Sequence, residues 1–121
     1  MFEYQTKNSL EFRKKECKKI FDKNPNKIPV ICEKEKKCNF LTQELNKSKF
    51  LIPLYMSIFQ FKNIIRNKLL LSNSESLFLL INGKKAITDN CLISELYNKF
   101  KNEDGFLYIT YSTELTWGYN N

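Results

Sequence analysis

One helix with its own start signal divides this chain and limits what it can fold into. Ser57-Ile58-Phe59-Gln60 has the form of a capping box, in which a hydroxyl and an amide side chain satisfy orphan backbone donors reciprocally. Behind it, Phe61, Ile64, Ile65 and Leu69 recur at helical spacing and form an apolar stripe. Short strand-like runs lie on both sides of this helix. Ile28-Pro29-Val30-Ile31-Cys32 and Lys49-Phe50-Leu51-Ile52-Pro53 precede it, and the proline closing the second points to a sheet edge. Phe78-Leu79-Leu80-Ile81 and Phe106-Leu107-Tyr108-Ile109-Thr110-Tyr111 follow it.

The remaining segments fit around these five. Leu10, Cys17, Ile20 and Phe21 recur at helical spacing over residues 10–22, with lysines covering the rest, and Asn24-Pro25-Asn26 stops that helix. Asn82-Gly83 predicts a tight hairpin, after which Lys84 to Ile87 pair back briefly. Asp89 or Asn90 is placed to cap a short helix with Ile93, Leu96, Tyr97 and Phe100 on one face. Asp104-Gly105 turns into the last strand. Two strands, a crossing helix and two further strands make an α+β layer, one mixed sheet with a helix across it. A ubiquitin-like β-grasp satisfies this order, and so does a ferredoxin-like split βαβ arrangement.

Composition removes several function classes. The 121 residues suit one small domain. There is no histidine, which excludes Ser-His and Cys-His catalytic pairs and histidine-bearing metal sites. No glycine-rich phosphate loop and no paired catalytic carboxylates are visible, so the chain is read as a non-enzyme. Cys17, Cys32, Cys38 and Cys91 include no C-x-x-C pair, and no zinc site is expected. Cys17, Cys32 and Cys91 fall in apolar patterns and read as core; Cys38, in a charged loop, reads as the more exposed one. The first residues do not have the form of a signal peptide, and no apolar run reaches the length of a membrane span. A net charge of +7 favours acidic peptides, anionic lipid or nucleic acid. No RNA- or DNA-binding motif accompanies it, so nucleic acid is not an expected partner.

Beyond the last strand, Trp117-Gly118-Tyr119-Asn120-Asn121 ends the chain. It holds one of only three glycines. A residue without Cβ in a tail can enter a narrow enzyme tunnel and bend there.

Several blocks together resemble one family. Residues 24–34 (Asn24-Pro25-Asn26-Lys27-Ile28-Pro29-Val30-Ile31-Cys32-Glu33-Lys34), Lys49-Phe50-Leu51-Ile52-Pro53, Gln60-Phe61 with Ile64-Ile65-Arg66, residues 103–112 and Trp117-Gly118 are similar, in order and spacing, to the autophagy ubiquitin-like modifiers of the GABARAP and microtubule-associated light-chain group. The resemblance implies a β-grasp core over residues 25–112 with a four-stranded mixed sheet and an open edge at the second strand. It implies an N-terminal extension of two helices over residues 1–24, the first at residues 3–8, and a processed tail over residues 113–121. It implies no catalysis and no cofactor. A cysteine protease would cut after Gly118, and ubiquitin-like activating and conjugating enzymes would join Gly118 to phosphatidylethanolamine. The protein would be cytoplasmic and, once conjugated, anchored on an autophagosome or related membrane.

The same resemblance implies capture of extended peptides carrying an aromatic and, three residues on, an aliphatic side chain, as found in adaptors and cargo receptors. The aromatic pocket maps onto Glu16, Ile20, Pro29, Ile31, Lys49, Leu51 and Phe106. The aliphatic one maps onto Phe50, Ile52, Pro53, Met56, Phe61, Ile64 and Ile65. Lys27, Lys47, Lys49 and Arg66 would meet acidic flanks, and Arg66 could instead stay in an intramolecular ion pair. Tubulin is a further possible partner of the N-terminal segment. Departures from the family pattern include a longer loop before Lys49, Phe59 where the helix often has glycine, and Leu10 for an aromatic. The competing reading from the same residues is a peptide-binding scaffold that is never conjugated.

Overall fold

A computed structural model describes residues 1–38 and 44–113. The elements run α1 (Glu3–Lys7), α2 (Leu10–Lys23), β1 (Lys27–Lys34), β2 (Lys49–Pro53), α3 (Ile58–Lys68), β3 (Phe78–Ile81), β4 (Lys85–Ala86), α4 (Ile93–Phe100) and β5 (Leu107–Ser112). The strands form one mixed sheet in the order β2-β1-β5-β3-β4. β1 and β5 run parallel at its centre, and every other neighbouring pair is antiparallel. This is the α+β, ubiquitin-like arrangement, and the ferredoxin-like alternative is set aside.

The sheet has five strands where four were expected. Asn82 (φ 52°) and Gly83 (φ 74°) both occupy the left-handed region, as a type I′ hairpin requires. That turn folds Lys85 and Ala86 back beside Ile81 and Leu80. A second difference concerns α4. Its N-cap is Leu92, not Asp89 or Asn90, and the Glu95 carboxylate accepts the Leu92 N–H at 3.0 Å. Asp89 is engaged elsewhere: its carbonyl accepts from Phe59 N–H, and its carboxylate pairs with Lys62 at 2.6 Å.

The start of α3 forms as its residues predict. Ser57 Oγ accepts the Gln60 N–H at 3.2 Å and Gln60 Oε1 accepts the Ser57 N–H at 2.9 Å. Ser9 caps α2 through one half of that pattern, its Oγ accepting the Phe12 N–H at 3.1 Å.

Both faces of the central strands are covered. On one face Ile28, Val30, Cys32, Leu107, Ile109 and Tyr111 pack with Ile58, Phe61 and Ile65 of α3 and Ile93 and Leu96 of α4. On the other, Ile31, Phe106 and Tyr108 pack with Phe2 and Cys17, flanked by Tyr4, Ile20 and Phe21 of the N-terminal helices. Burial on both sides explains why β1 and β5 read as unbroken apolar runs and not as alternating ones. Cys38 corrects the sequence reading: it is 1% exposed, with its sulfur 3.5 Å from Thr113 Oγ1. The charged neighbours of a loop residue report the loop's outer side and not which side chain turns in.

Candidate functional site at the sheet edge

β2 closes one margin of the sheet, so among the described residues only one of its two sides is paired. The register sets Val30 against Phe50 and Ile28 against Ile52, and Cys32 N–H donates to Ser48 C=O at 2.8 Å. In an antiparallel ladder the residues that bond the partner strand alternate with those that face away. Ser48, Phe50 and Ile52 therefore turn their backbone groups to β1. Lys49 and Leu51 turn theirs to the open side. Pro53 has no N–H, and its carbonyl is taken by Met56 N–H at 3.1 Å, so the free ladder ends there.

Side chains alternate faces along the same strand. Lys49 and Leu51 stand opposite Ile31 and Pro29, on the face covered by α1 and α2. Glu16 and Ile20 of α2 and the fully buried Phe106 complete this group. Lys49 Nζ lies 2.9 Å from Glu16 Oε1, bridging the strand to the helix. That hydrogen bond holds the Glu16 carboxyl below its ordinary range. Leu51 is 37% exposed. The seven residues of the expected aromatic pocket are thus brought to one face of one edge.

Tyr4 joins them, and the sequence did not point to it. Lys49 Nζ stands 5.4 Å from the centre of its ring, and the ring meets Phe106 edge-on at 5.3 Å. Burial pushes its phenol up to about 12. A five-residue helix is too short to leave a periodic signature, so no pattern could have singled Tyr4 out.

The aliphatic group divides in two. Phe50, Ile52, Phe61 and Ile65 are buried in the α3-side core, where the Phe50 and Phe61 rings meet edge-on at 5.6 Å. Pro53, Met56 and Ile64 remain half-buried and form the accessible part. Among the cations, Lys27 and Lys47 are exposed. Lys47 also lines a cavity of about 490 Å³ with Glu3, Tyr4, Lys7 and Glu44. Arg66 is turned inward: its guanidinium donates to the Glu75 and Ser72 carbonyls at 2.6 and 2.7 Å. Its partners are backbone carbonyls, and not the ion pair that the alternative reading expected. Gly118 lies outside the described residues.

Comparison with known proteins decides the family. The family described as autophagy protein Atg8 ubiquitin like matches residues 12–118. The chain belongs to the Atg8 family. Human microtubule-associated protein 1 light chain 3 gamma is 38% identical over 115 residues, spanning 95% of this chain and 78% of that protein. Autophagy-related protein 8 of Schizosaccharomyces pombe is 42% identical over 110 residues, 91% of this chain and 88% of that one. The crystal structure of Trypanosoma brucei ATG8 superposes with a TM-score of 0.86 at 30% identity, covering 93% of this chain and 94% of its own. This Atg8-family member is therefore a ubiquitin-like protein of autophagy, a modifier or scaffold and not an enzyme. Among its described residues no helix is long and apolar enough to cross a membrane.

Proposed function

We propose that this Atg8-family protein is a lipid-conjugated adaptor: cut after Gly118, joined through that glycine to phosphatidylethanolamine, and recruiting extended peptides of adaptors and cargo receptors along β2. The observation that carries the peptide half is the parity of the edge. Among the described residues the N–H and C=O groups of Lys49 and Leu51 meet no neighbouring strand, with one side-chain group on each face of the sheet beside them. In an extended peptide, residues three apart point to opposite faces and lie roughly 10 Å apart along the strand. An aromatic-x-x-aliphatic peptide therefore delivers its aromatic to the Glu16–Lys49–Leu51 face and its aliphatic to Pro53, Met56 and Ile64. Backbone pairing supplies attachment, and the two groups supply choice.

Family membership supports the conjugation half. Proteolysis would free the Gly118 carboxylate, ATP-dependent adenylation and transfer to thiols would activate it, and the lipid amine would displace the thiolate to leave an amide. Two acyl chains then hold the domain on a membrane where one would bind only marginally. The processing protease and the activating and conjugating enzymes are the partners this requires. The unmodified protein would be cytoplasmic and the conjugate autophagosomal.

Reconstitution with a processing protease, the conjugation enzymes and phosphatidylethanolamine vesicles tests it. Wild type should lose Tyr119-Asn120-Asn121 and gain the mass of the lipid, while Gly118→Ala stays soluble and folded. A Gly118→Ala protein that becomes lipid-linked ends the conjugation reading. Native protein found full-length and lipid-free would favour the unconjugated scaffold.

A further inference from the structure

We propose that Asn82 is a self-modifying site: the Gly83 backbone nitrogen displaces the Asn82 side-chain nitrogen as ammonia, and the isoaspartyl product unpairs β4 from β3. Asparagine is a thermolabile residue, because the nitrogen of the next residue can close a five-membered imide on its side-chain carbonyl. A following side chain, or a fold that holds both groups still, blocks that closure. Asn82 is the only asparagine in the chain followed by glycine, which has no Cβ to obstruct the attack.

The hairpin leaves both reacting groups untied. Asn82 is exposed, and its side-chain amide has no hydrogen-bond partner among the described residues. The amides on either side of Gly83 are engaged: Asn82 N–H donates to the Tyr108 carbonyl at 3.0 Å and Lys84 N–H to that of Ile81 at 2.9 Å. The Gly83 N–H between them has no partner among the described residues. Asn82 and Gly83 line a cavity of about 190 Å³ in which Lys34, Lys36 and Lys84 outnumber Glu33 and Glu35. The nitrogen must lose its proton to attack, and an excess of positive charge favours the anion. The turn must also swing to bring nitrogen and side-chain carbon together. It closes a strand of only two residues at the margin of the sheet, where local opening costs least.

Asp104-Gly105 is the internal contrast. Its carboxylate is buried and accepts from Arg13, Tyr108 and Phe106, and the Gly105 N–H donates to the Asn102 carbonyl at 2.9 Å. At Asn82 the new bond joins Gly83 N to Cγ, the Cγ–Nδ2 bond breaks, and the amide proton leaves with the ammonia. Water then opens the imide at either carbonyl to give aspartate or isoaspartate. Isoaspartate routes the main chain through the side-chain methylene and adds one atom to the turn. A two-residue hairpin fixes its strands through the torsions of both turn residues. The pairs Ile81–Lys85 and Leu80–Ala86 then no longer meet, and β3 becomes the last strand on that side.

Incubation of the full chain in warm neutral buffer, with peptide mapping by electron-transfer fragmentation, tests this. Asn82 should convert before any other asparagine, with isoaspartate exceeding aspartate, and Asp104 should stay unaltered. Asn82→Gln, whose imide needs a six-membered ring, should remain unmodified over the same time. The isoaspartyl form carries one positive charge fewer and separates by cation exchange. Its Lys84 and Ile87 amides, bonded in the parent to the Ile81 and Leu79 carbonyls at 2.9 Å, should lose hydrogen-exchange protection while those of β1 and β5 keep theirs. A parallel sample unfolded in urea gives the rate of the free chain. Conversion in urea alone, or at another asparagine first, overturns the inference, because the hairpin would then hold Asn82 inert. Aspartate without isoaspartate at position 82 also overturns it, since direct hydrolysis forms no imide. Unchanged protection at Lys84 and Ile87 in the isoaspartyl form overturns the unpairing of β4.

Discussion

Arg13 Nη1 stands 2.6 Å from Asp104 Oδ2, joining α2 to the turn that opens β5. The Asp104 side chain is fully buried and that of Arg13 nearly so, at 0% and 11% exposure. Asp104 is the hub of a small network. The Tyr108 hydroxyl donates to the same oxygen as Arg13, the Phe106 N–H donates to Oδ1 at 2.8 Å, and Asn102 Oδ1 accepts the Asp104 N–H at 3.0 Å. Burial, with the Asp104 hydrogen bond behind it, pushes the Tyr108 phenol far up. The network fixes the helix that carries Glu16 and Ile20, so it also fixes one wall of the edge site.

Breaking that pair should be costly. Arg13→Ala leaves a buried carboxylate without its cation, and a buried pair broken from one side typically loses roughly 3–5 kcal/mol. Urea unfolding should show a loss of about that size with little change in slope. A loss under about 1 kcal/mol would mean that α2 is held by its apolar contacts alone.

Gly105 is constrained twice over. Its φ is +97°, and a Cβ there would lie 2.5 Å from Cys17 Sγ and 3.3 Å from Cys17 Cβ. Gly105→Ala should therefore cost about 2 kcal/mol or more, part from backbone strain and part from the clash. Adding Cys17→Ala should recover the sulfur clash only, leaving the strain and the tighter Cβ contact. Equal stabilities for the single and double variants, read from thermal melts, would show that the clash contributes nothing.

The sequence made most of the fold legible because the signals were local. The Ser57–Gln60 box, the Asn82-Gly83 turn and the apolar runs each act within a few residues, and each appears where expected. What stayed hidden depends on distant partners. Gly105 reads as an ordinary turn glycine until Cys17 of α2 is placed against it. Asp104 reads as turn chemistry until Arg13 arrives from 91 residues away. Cys38 reads as exposed because its neighbours are charged. At the site, strand alternation already separates Lys49 and Leu51 from Phe50 and Ile52. It could not show that Phe61 and Ile65 are wholly buried, that Arg66 is spent on carbonyls, or that the Tyr4 ring packs against Phe106 and Lys49.

The end of α3 offers room for stabilisation. Leu70 adopts φ 56° and is 73% exposed. Leu71 N–H donates to the Arg66 carbonyl at 3.2 Å and Leu70 N–H to that of Asn67 at 3.3 Å, the bonding of a Schellman motif. Its left-handed position favours glycine, and a leucine there is strained by roughly 1–2 kcal/mol. Leu70→Gly should raise stability by about 0.5–1 kcal/mol, the relief being partly offset by the freer unfolded chain. A variant less stable than wild type in urea would show that the exposed leucine packs more than its accessibility indicates.

Alkali should unfold this protein early. Burial pushes the phenols of Tyr4, Tyr97 and Tyr111 up to about 12 and the Cys17 thiol up to about 11. In the unfolded chain these groups ionise near 10 and 9, so above those values the unfolded state binds fewer protons than the native state. Stability from these groups is complete below pH 9 and falls as pH rises through 11 to 12. Tyrosinate absorbance should appear cooperatively with the loss of helical circular dichroism. Gradual titration of these four tyrosines, the buried Tyr108 and Tyr111 and the half-buried Tyr4 and Tyr97, with the fold intact would contradict the packing described.

Lys49 gives the sharpest test of the edge. Ile52 is unsuitable, since it is 4% exposed within the core and a charge there would unfold the chain. Lys49 is half-exposed and already bound to Glu16, so a peptide carboxylate must compete for it. Its net contribution is then that of a partly solvated ion pair, up to about 1 kcal/mol. Lys49→Ala should weaken an aromatic-x-x-aliphatic peptide with acidic flanks by about threefold at low salt. The difference from wild type should shrink as salt rises, because exposed pairs are screened. The same peptide with neutral flanks should show little change, since the backbone groups of residue 49 remain in place. A threefold loss that is independent of both salt and flanking charge would mean that the lysine acts through its stem, packed over the Tyr4 ring, and not through its charge.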